Sequence, residues 1–273
     1  MASVKNDDPE SEDKKMPLLD HLIELRGRLM RAVIALFIAF GISFYFAEDL
    51  YAFLVQPLAD ILGHQSGRRL IYTELTEVFF SYVKVAFFFG AFVSFPIFAI
   101  EIWKFVAPGL YRNEKRAFLP FLVATPVLFF MGGATVYYLL LPVAWRFFLG
   151  FESPGGAGTL PIQLEAKVNE YLKLVMQLVF AFGLAFQLPV LMTLLARAGI
   201  ATSKGMAEKR RYAIVGVFIV AAIFTPPDPF SQISLAIPIL LLYEISILLA
   251  KMVERERAKR EALAEQELDL PQA

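Results

Sequence analysis

The chain has 273 residues, of which 58% are hydrophobic, and its 26 basic residues balance 26 acidic ones. A soluble domain of this length cannot bury so much apolar surface, so the composition indicates a membrane protein. There is no cysteine and there are two histidines, His21 and His64. This composition excludes a disulfide framework, thiol catalysis and cysteine-ligated metals, and we expect no metal site and no cofactor.

The N-terminal segment, residues 1–16, is polar and lacks the apolar core and cleavage site of a signal peptide. We predict that it is a disordered cytoplasmic tail. An amphipathic helix should follow, because Leu18, Leu22, Leu25 and Leu29 form one apolar stripe at helical spacing. This helix is predicted to continue into the first apolar segment.

Six apolar segments follow one another along the chain and read as membrane helices. They cover residues 29–46, 78–100, 118–141, 171–196, 212–224 and 233–250. The fifth would be roughly 20 Å long against a hydrocarbon core of about 30 Å, so it needs a thinned bilayer or shielding neighbours. We predict an all-α, polytopic membrane domain over residues 17–252, followed by a charged cytoplasmic tail over residues 253–273.

Basic residues indicate the orientation of these helices. Most of the 26 Lys and Arg residues lie near the N-terminus, in the loops 101–117 and 197–211, and in the C-terminal tail. The positive-inside rule then places both termini in the cytoplasm.

The loops on the other side of the membrane have a different character. Residues 50–62 are amphipathic, and short helices are expected over the outer mouth of the bundle. Residues 150–161 are rich in Gly and Pro, which predicts a turn before a helix that begins near Ile162.

Two lone carboxylates lie in the basic cytoplasmic segments. Glu24 precedes Arg28 by four residues, a routine helix pair, yet it lies off the apolar stripe, where it would face a partner. Glu114 follows a turn predicted at Pro108-Gly109 and lies near the start of the third helix, where the helix dipole favours a carboxylate. Each residue therefore has a structural and a functional interpretation.

Other polar residues lie within or beside the apolar segments. Gln187 precedes Pro189, which should kink the fourth helix, and it either bonds to a neighbouring helix or lines a hydrated groove. Glu244 must be protonated, partnered or hydrated, because an isolated charge in lipid is costly. Asp228 or Ser231 is predicted to cap the sixth helix.

Two carboxylates such as Glu24 and Glu114 on the same membrane face could bind a pair of cationic side chains on a partner. Two other classes of function compete with such a receptor. A secondary transporter of a small solute predicts polar residues that converge near the midplane and related halves, whereas the chain offers mainly Gln187 and no internal repeat. An intramembrane enzyme needs a Ser–His, paired Asp or His–Glu constellation inside the spans, and no His or Asp lies in one. We therefore predict that the protein is not an enzyme.

Four motifs in order resemble those of the TatC family, the core subunit of the twin-arginine protein translocase. They are residues 21–28 (HLIELRGR), 105–114 (FVAPGLYRNE), 186–189 (FQLP) and 225–232 (TPPDPFSQ), and the resemblance extends over about residues 16–252. It implies a cup-shaped bundle of six helices that receives folded cargo proteins with twin-arginine signal peptides. The expected partners are TatA-like and TatB-like single-span subunits, other copies of the chain and membrane lipid, without nucleic acid. The resemblance also implies transport driven by the proton-motive force and a location in the cytoplasmic (inner) membrane.

The resemblance also assigns roles to individual residues. Glu24 and Glu114 would hold the two arginines, and Gln187 stands where many relatives carry a Glu. The residues expected to support the cytoplasmic site are Leu22, Arg26, Phe105, Pro108 and Leu110. Those expected on the concave face or in contact with partners are Gln187, Asp228, Gln232 and Glu244.

Overall fold

A computed structural model gives the architecture of the chain and describes residues 16–63, 68–110, 115–156, 158–225 and 228–268. The helices in chain order are α1 (Met16–Tyr45), α2 (Ala47–Leu62), α3 (Glu77–Leu110), α4 (Lys115–Thr135), a π-helical turn (Val136–Leu140), α5 (Leu141–Leu149), α6 (Val168–Ala185), α7 (Leu188–Arg197), α8 (Ser203–Glu208), α9 (Arg210–Phe224) and α10 (Pro229–Leu268). In the described residues β-structure is limited to isolated bridges. The predicted all-α fold is therefore confirmed.

All six apolar segments predicted from the sequence are helical. Within the described part of the chain, five helical stretches are long and apolar enough to cross a membrane: Leu22–Tyr45, Glu77–Phe105, Pro120–Leu149, Val168–Arg197 and Pro229–Arg260. The remaining segment is α9, whose 15 residues extend about 22 Å, shorter than the hydrocarbon core of about 30 Å. The protein is thus a multi-pass membrane protein.

The fourth apolar segment is interrupted rather than simply kinked. Helix α6 ends at Ala185 and α7 begins at Leu188, so Gln187 lies at the junction. Pro189, in the first turn of α7, has no N–H to donate to the preceding turn, which is the physical reason for the break.

Helix α6 lies at the centre of the packing. It contacts α3, α4 and α9, while α1 lies along α3 and α10 packs against α7 and α9. Helices α4 and α6 approach closely because glycines face each other at their crossing. A Cβ atom on Gly132 would lie 2.5 Å from the carbonyl oxygen of Phe182, and one on Gly183 would lie 2.6 Å from the ring of Phe129.

The helix predicted to begin near Ile162 begins at Val168 instead. Ser153 and Ile162 exchange backbone hydrogen bonds of 2.9 and 2.8 Å, and Ile71 accepts a bond of 3.0 Å from the N–H of Val168. These bonds to a distant segment hold the chain extended up to residue 167. Of the outer helices expected in the region 47–77, α2 is present, and residues 68–76 are not helical.

The prediction that the helix ends in a turn at Pro108-Gly109 is also wrong. Helix α3 includes both residues and ends at Leu110. At the other end of the chain, the last helix continues into the charged tail, since α10 extends to Leu268.

Candidate functional site

Helices α1 and α3 meet through an ion-pair network at one end of the bundle. We call this end the basic end and define it by the members of the network, Glu24, Arg28, Arg31 and Glu101. Arg28 donates two hydrogen bonds to the same oxygen of Glu24, Oε1: one from Nε, at 3.1 Å, and one from Nη2. The Glu24–Arg28 helix pair predicted from the spacing is therefore present. The Glu24 side chain nevertheless remains 44% exposed, so it is accessible from solvent.

Glu101, on α3, joins this network although the sequence did not single it out. Arg31 donates to its two carboxylate oxygens at 3.0 and 2.9 Å, and Arg28 Nη1 lies 3.4 Å from Oε2. Its side chain is only 12% exposed. The available signal was a carboxylate in the last apolar turn before a basic loop, a position where a charge needs a partner.

The other residues predicted for this site are placed as follows. Leu22 and Arg26 are exposed on α1, and Phe105 lies half-buried on α3, one helical turn beyond Glu101. Because α1 and α3 contact each other through Arg28 and Glu101, these residues share the basic end with Glu24. Glu114 and the side chains of Pro108 and Leu110 lie outside the described residues.

A second ion pair links the start of α9 to α10. Arg210 donates from Nε and Nη2 to the two oxygens of Glu244 at 2.6 and 2.9 Å, and both side chains are about half exposed. Of the alternatives that the sequence left open for Glu244, the structure therefore shows a partnered carboxylate.

Gln187 takes part in a polar chain that connects α3, α4 and the α6–α7 junction. Its Nε2 donates to the backbone oxygen of Thr125 at 3.0 Å and to that of Gly183 at 3.4 Å. The Thr125 hydroxyl in turn accepts from Trp103 Nε1 at 3.0 Å. The amide oxygen of Gln187 is buried and has no partner among the described residues, so it can accept a further hydrogen bond.

Asp228, one of the two residues predicted as alternatives, caps α10. Its Oδ1 accepts a 2.7 Å bond from the N–H of Ser231. Gln232 lies in the first turn of α10, and its side chain is half-buried. Glu244 is 16 residues after Asp228 on the same helix, a rise of about 24 Å, so these predicted positions do not form one site.

The opposite end of the bundle is held by an ion pair between two connecting segments. Arg68 donates to both oxygens of Glu152 at 2.6 Å, and the N–H of Leu164 donates to Glu152 at 2.8 Å. The bonds from Arg68 and then from Leu164 lower the pKa of Glu152. These contacts connect residues 68–76 to the extended segment before α6.

We expect acid to loosen the contact between Arg68 and the extended segment before α6. Because the folded state lowers the pKa of Glu152, the stabilisation is fully present above the ordinary carboxyl pKa of about 4.3 and is lost as pH falls through the lowered value. Hydrogen exchange at the Leu164 amide, corrected for its intrinsic rate, should therefore accelerate below about pH 4. In Glu152→Gln the fast exchange should already be present at pH 7, and identical profiles for both proteins would contradict the assignment.

The family follows from comparison with known proteins. The family model described as Sec-independent protein translocase protein (TatC) matches residues 20–238. The chain belongs to the TatC family.

Individual TatC proteins are similar over nearly their whole length. The Sec-independent protein translocase protein TatC of Magnetococcus marinus is 49% identical, over 93% of this chain and 90% of that protein. The Escherichia coli K12 protein of the same name is 37% identical, over 92% of this chain and 94% of its own. A crystal structure of the twin arginine translocase receptor TatC matches with a TM-score of 0.72 and 38% identity, covering 86% of this chain and 99% of that one.

TatC membership bears on the functions that the sequence left in competition. It supports a role in Sec-independent protein translocation and gives no support to a small-solute transporter. The matched range contains Glu24, Glu114, Gln187 and the 225–232 turn, whereas Glu244 lies beyond its end.

Proposed function

We propose that this chain is the twin-arginine signal-peptide receptor and core subunit of a translocase that exports folded proteins across the cytoplasmic membrane, driven by the proton-motive force. The observation that carries the proposal is an accessible carboxylate, Glu24, at the basic end of a TatC-family chain. The similarity to a crystal structure of a twin arginine translocase receptor adds support.

The chemistry of a twin-arginine motif suits this end of the molecule. A guanidinium can donate two parallel hydrogen bonds to one carboxylate, and each charge-assisted bond contributes about 1.5–3 kcal/mol. Glu24 and Glu114 would each receive one arginine, with Leu22, Arg26, Phe105, Pro108 and Leu110 around them. Lysine lacks the planar fork, so a Lys-Lys peptide should bind less well.

The remaining predicted positions would serve the cargo signal and the partner subunits. In this proposal the apolar part of the signal lies along the concave face of the bundle, which includes Gln187. Asp228, Gln232 and Glu244 would contact TatA-like and TatB-like single-span subunits, other copies of the chain or lipid. Both termini lie in the cytoplasm.

Binding of matched peptides tests the proposal directly. The detergent-solubilised full chain should retain a labelled signal peptide with Arg-Arg and lose most binding when the pair is Lys-Lys. Equal affinity for the two peptides would contradict the receptor function.

The proposed orientation makes a prediction for single-cysteine variants, which have no background because the chain has no cysteine. In intact cells an impermeant thiol reagent should label cysteines that replace Gly63, Gly156 or Pro227. It should not label those that replace Tyr111 or Lys204 until the membrane is opened. Labelling of the Tyr111→Cys variant in intact cells would overturn the orientation.

Gln187→Leu is expected to impair transport while the protein level stays normal. The substitution removes the bond to Thr125, but interhelical hydrogen bonds in membranes average about 0.6 kcal/mol, too little to unfold the bundle. It also removes the polar side chain that the proposal places on the face used by the signal or a partner helix. In export assays, Gln187→Glu should transport cargo normally. Normal export by Gln187→Leu together with degradation of Gln187→Glu would contradict the prediction and show that the side chain only packs between helices.

A further inference from the structure

Arg28 occupies the carboxylate that the proposed function assigns to a signal arginine. We propose that Arg28 is an internal competitor for Glu24, displaced by the incoming arginine, and that Glu101 is a positioning residue that retains the displaced Arg28. This inference rests on the proposed receptor function. It means that a signal arginine must displace Arg28 before it can bind Glu24 through both oxygens.

The hydrogen bonds on Glu24 require such a displacement. Both bonds from Arg28, from Nε and from Nη2, go to Oε1 of Glu24. A guanidinium that binds a carboxylate through its fork needs both oxygens. A signal arginine can therefore reach full bidentate contact with Glu24 only after Arg28 has released Oε1.

The exposed fractions of the two side chains also differ in the way that an internal competitor requires. The Arg28 side chain is 15% exposed, whereas that of Glu24 is 44% exposed. The carboxylate is thus accessible from solvent, while Arg28 approaches it from the side of α3. An incoming arginine can contact Glu24 before Arg28 has left.

Glu101 provides the alternative partner for Arg28. Nη1 of Arg28 already lies 3.4 Å from Oε2 of Glu101, so a small side-chain rotation completes that bond. Arg31 fixes the carboxylate through two bonds of 3.0 and 2.9 Å. After displacement, the half-buried guanidinium of Arg28 therefore keeps a counter-charge instead of becoming an unpaired cation.

Removal of the competitor should strengthen peptide binding. Ion pairs in exposed positions are weak, so Arg28→Gln should raise affinity about two- to fivefold. Because only a guanidinium fork needs both oxygens of Glu24, the Arg-Arg peptide should gain by this factor, whereas a Lys-Lys peptide can bind Oε2 by a single bond beside Arg28 and should gain less. A residue with only a structural role would not produce this difference between the two peptides.

The matched control is Lys104→Gln. Lys104 is exposed on α3, one turn from Glu101, and its loss removes one positive charge without removing a bond to Glu24. An equal gain in peptide affinity in Lys104→Gln would show that the effect comes from the loss of any nearby positive charge, and it would overturn the proposal. A loss of affinity in Arg28→Gln would also overturn it, since Arg28 would then assist binding.

Folding is checked by thermal unfolding of each variant. If Arg28→Gln does not fold, Arg28→Lys keeps the charge and loses the fork, and its affinity for the Arg-Arg peptide should still rise, by a smaller factor. No gain in that variant would overturn the proposal.

A double-mutant cycle tests whether Glu101 acts on peptide affinity through Arg28. Glu101→Gln should lower peptide affinity in the wild-type background, because displaced Arg28 loses its partner, and should have much less effect when Arg28 is already Gln. Equal losses in both backgrounds would remove Glu101 from the mechanism. Failure of this inference is separable from failure of the receptor function, which would show as no preference for Arg-Arg in the wild type.

Discussion

Glu24→Ala and Glu114→Ala should each lower the affinity for a twin-arginine peptide by about 10- to 150-fold, the equivalent of one charge-assisted bond. For Glu24 the expected loss follows from an accessible carboxylate whose hydrogen bonds, among the described residues, come from Arg28 on its own helix. The measurement is peptide binding or crosslinking to the full chain at equal protein amounts. Because the Glu24–Arg28 pair is partly exposed, its loss should cost less than about 1 kcal/mol of stability.

Glu208→Ala is the matched control for these substitutions. Glu208 is an exposed carboxylate at the end of α8, just before the α9 residue Arg210, and it has no role in the proposed site. It should leave the affinity unchanged within about twofold, as is usual for a distant surface charge. If both Glu24→Ala and Glu114→Ala bind the peptide as well as the wild type, the assignment of the twin-arginine site is wrong.

Gly132→Ala should destabilise the bundle by about 1–3 kcal/mol, the usual cost of overpacking a well-packed core. The added methyl would lie 2.5 Å from the carbonyl oxygen of Phe182, 2.8 Å from its carbonyl carbon and 3.0 Å from the Cα of Gly183. All three are backbone atoms of α6, so no side-chain rotation relieves the clash, and α4 and α6 must separate. Thermal unfolding in detergent should show a lower midpoint and, in cells, a reduced protein level.

Gly216→Ala provides the comparison for the glycine substitution. A methyl at that position of α9 meets no atom within 4 Å. The substitution should leave the free energy of unfolding unchanged or raise it by up to about 1 kcal/mol, since alanine favours helix more than glycine does. Equal behaviour of the two variants would show that the α4–α6 crossing adapts without cost.

The sequence by itself determined the features that depend on neighbouring residues or on the solvent. Six apolar segments demand helices because backbone groups in lipid must bond within their own segment. The pairing of Glu24 with Arg28 and the capping of α10 by Asp228 follow from spacings of four and three residues, which helix geometry brings together. The break before Pro189 has the same local origin.

Only the tertiary structure decided which distant residues meet. Glu101 joins Arg31 across 70 residues, Gln187 bonds to the carbonyl of Thr125 across 62, and Arg210 pairs with Glu244 across 34. Each contact depends on which faces two helices present where they cross, and side-chain packing along the whole helix sets that crossing. The same reason explains why the helix start at Val168 was predicted too early: its preceding residues are held extended by backbone bonds to residues 71 and 153, which local sequence does not reveal.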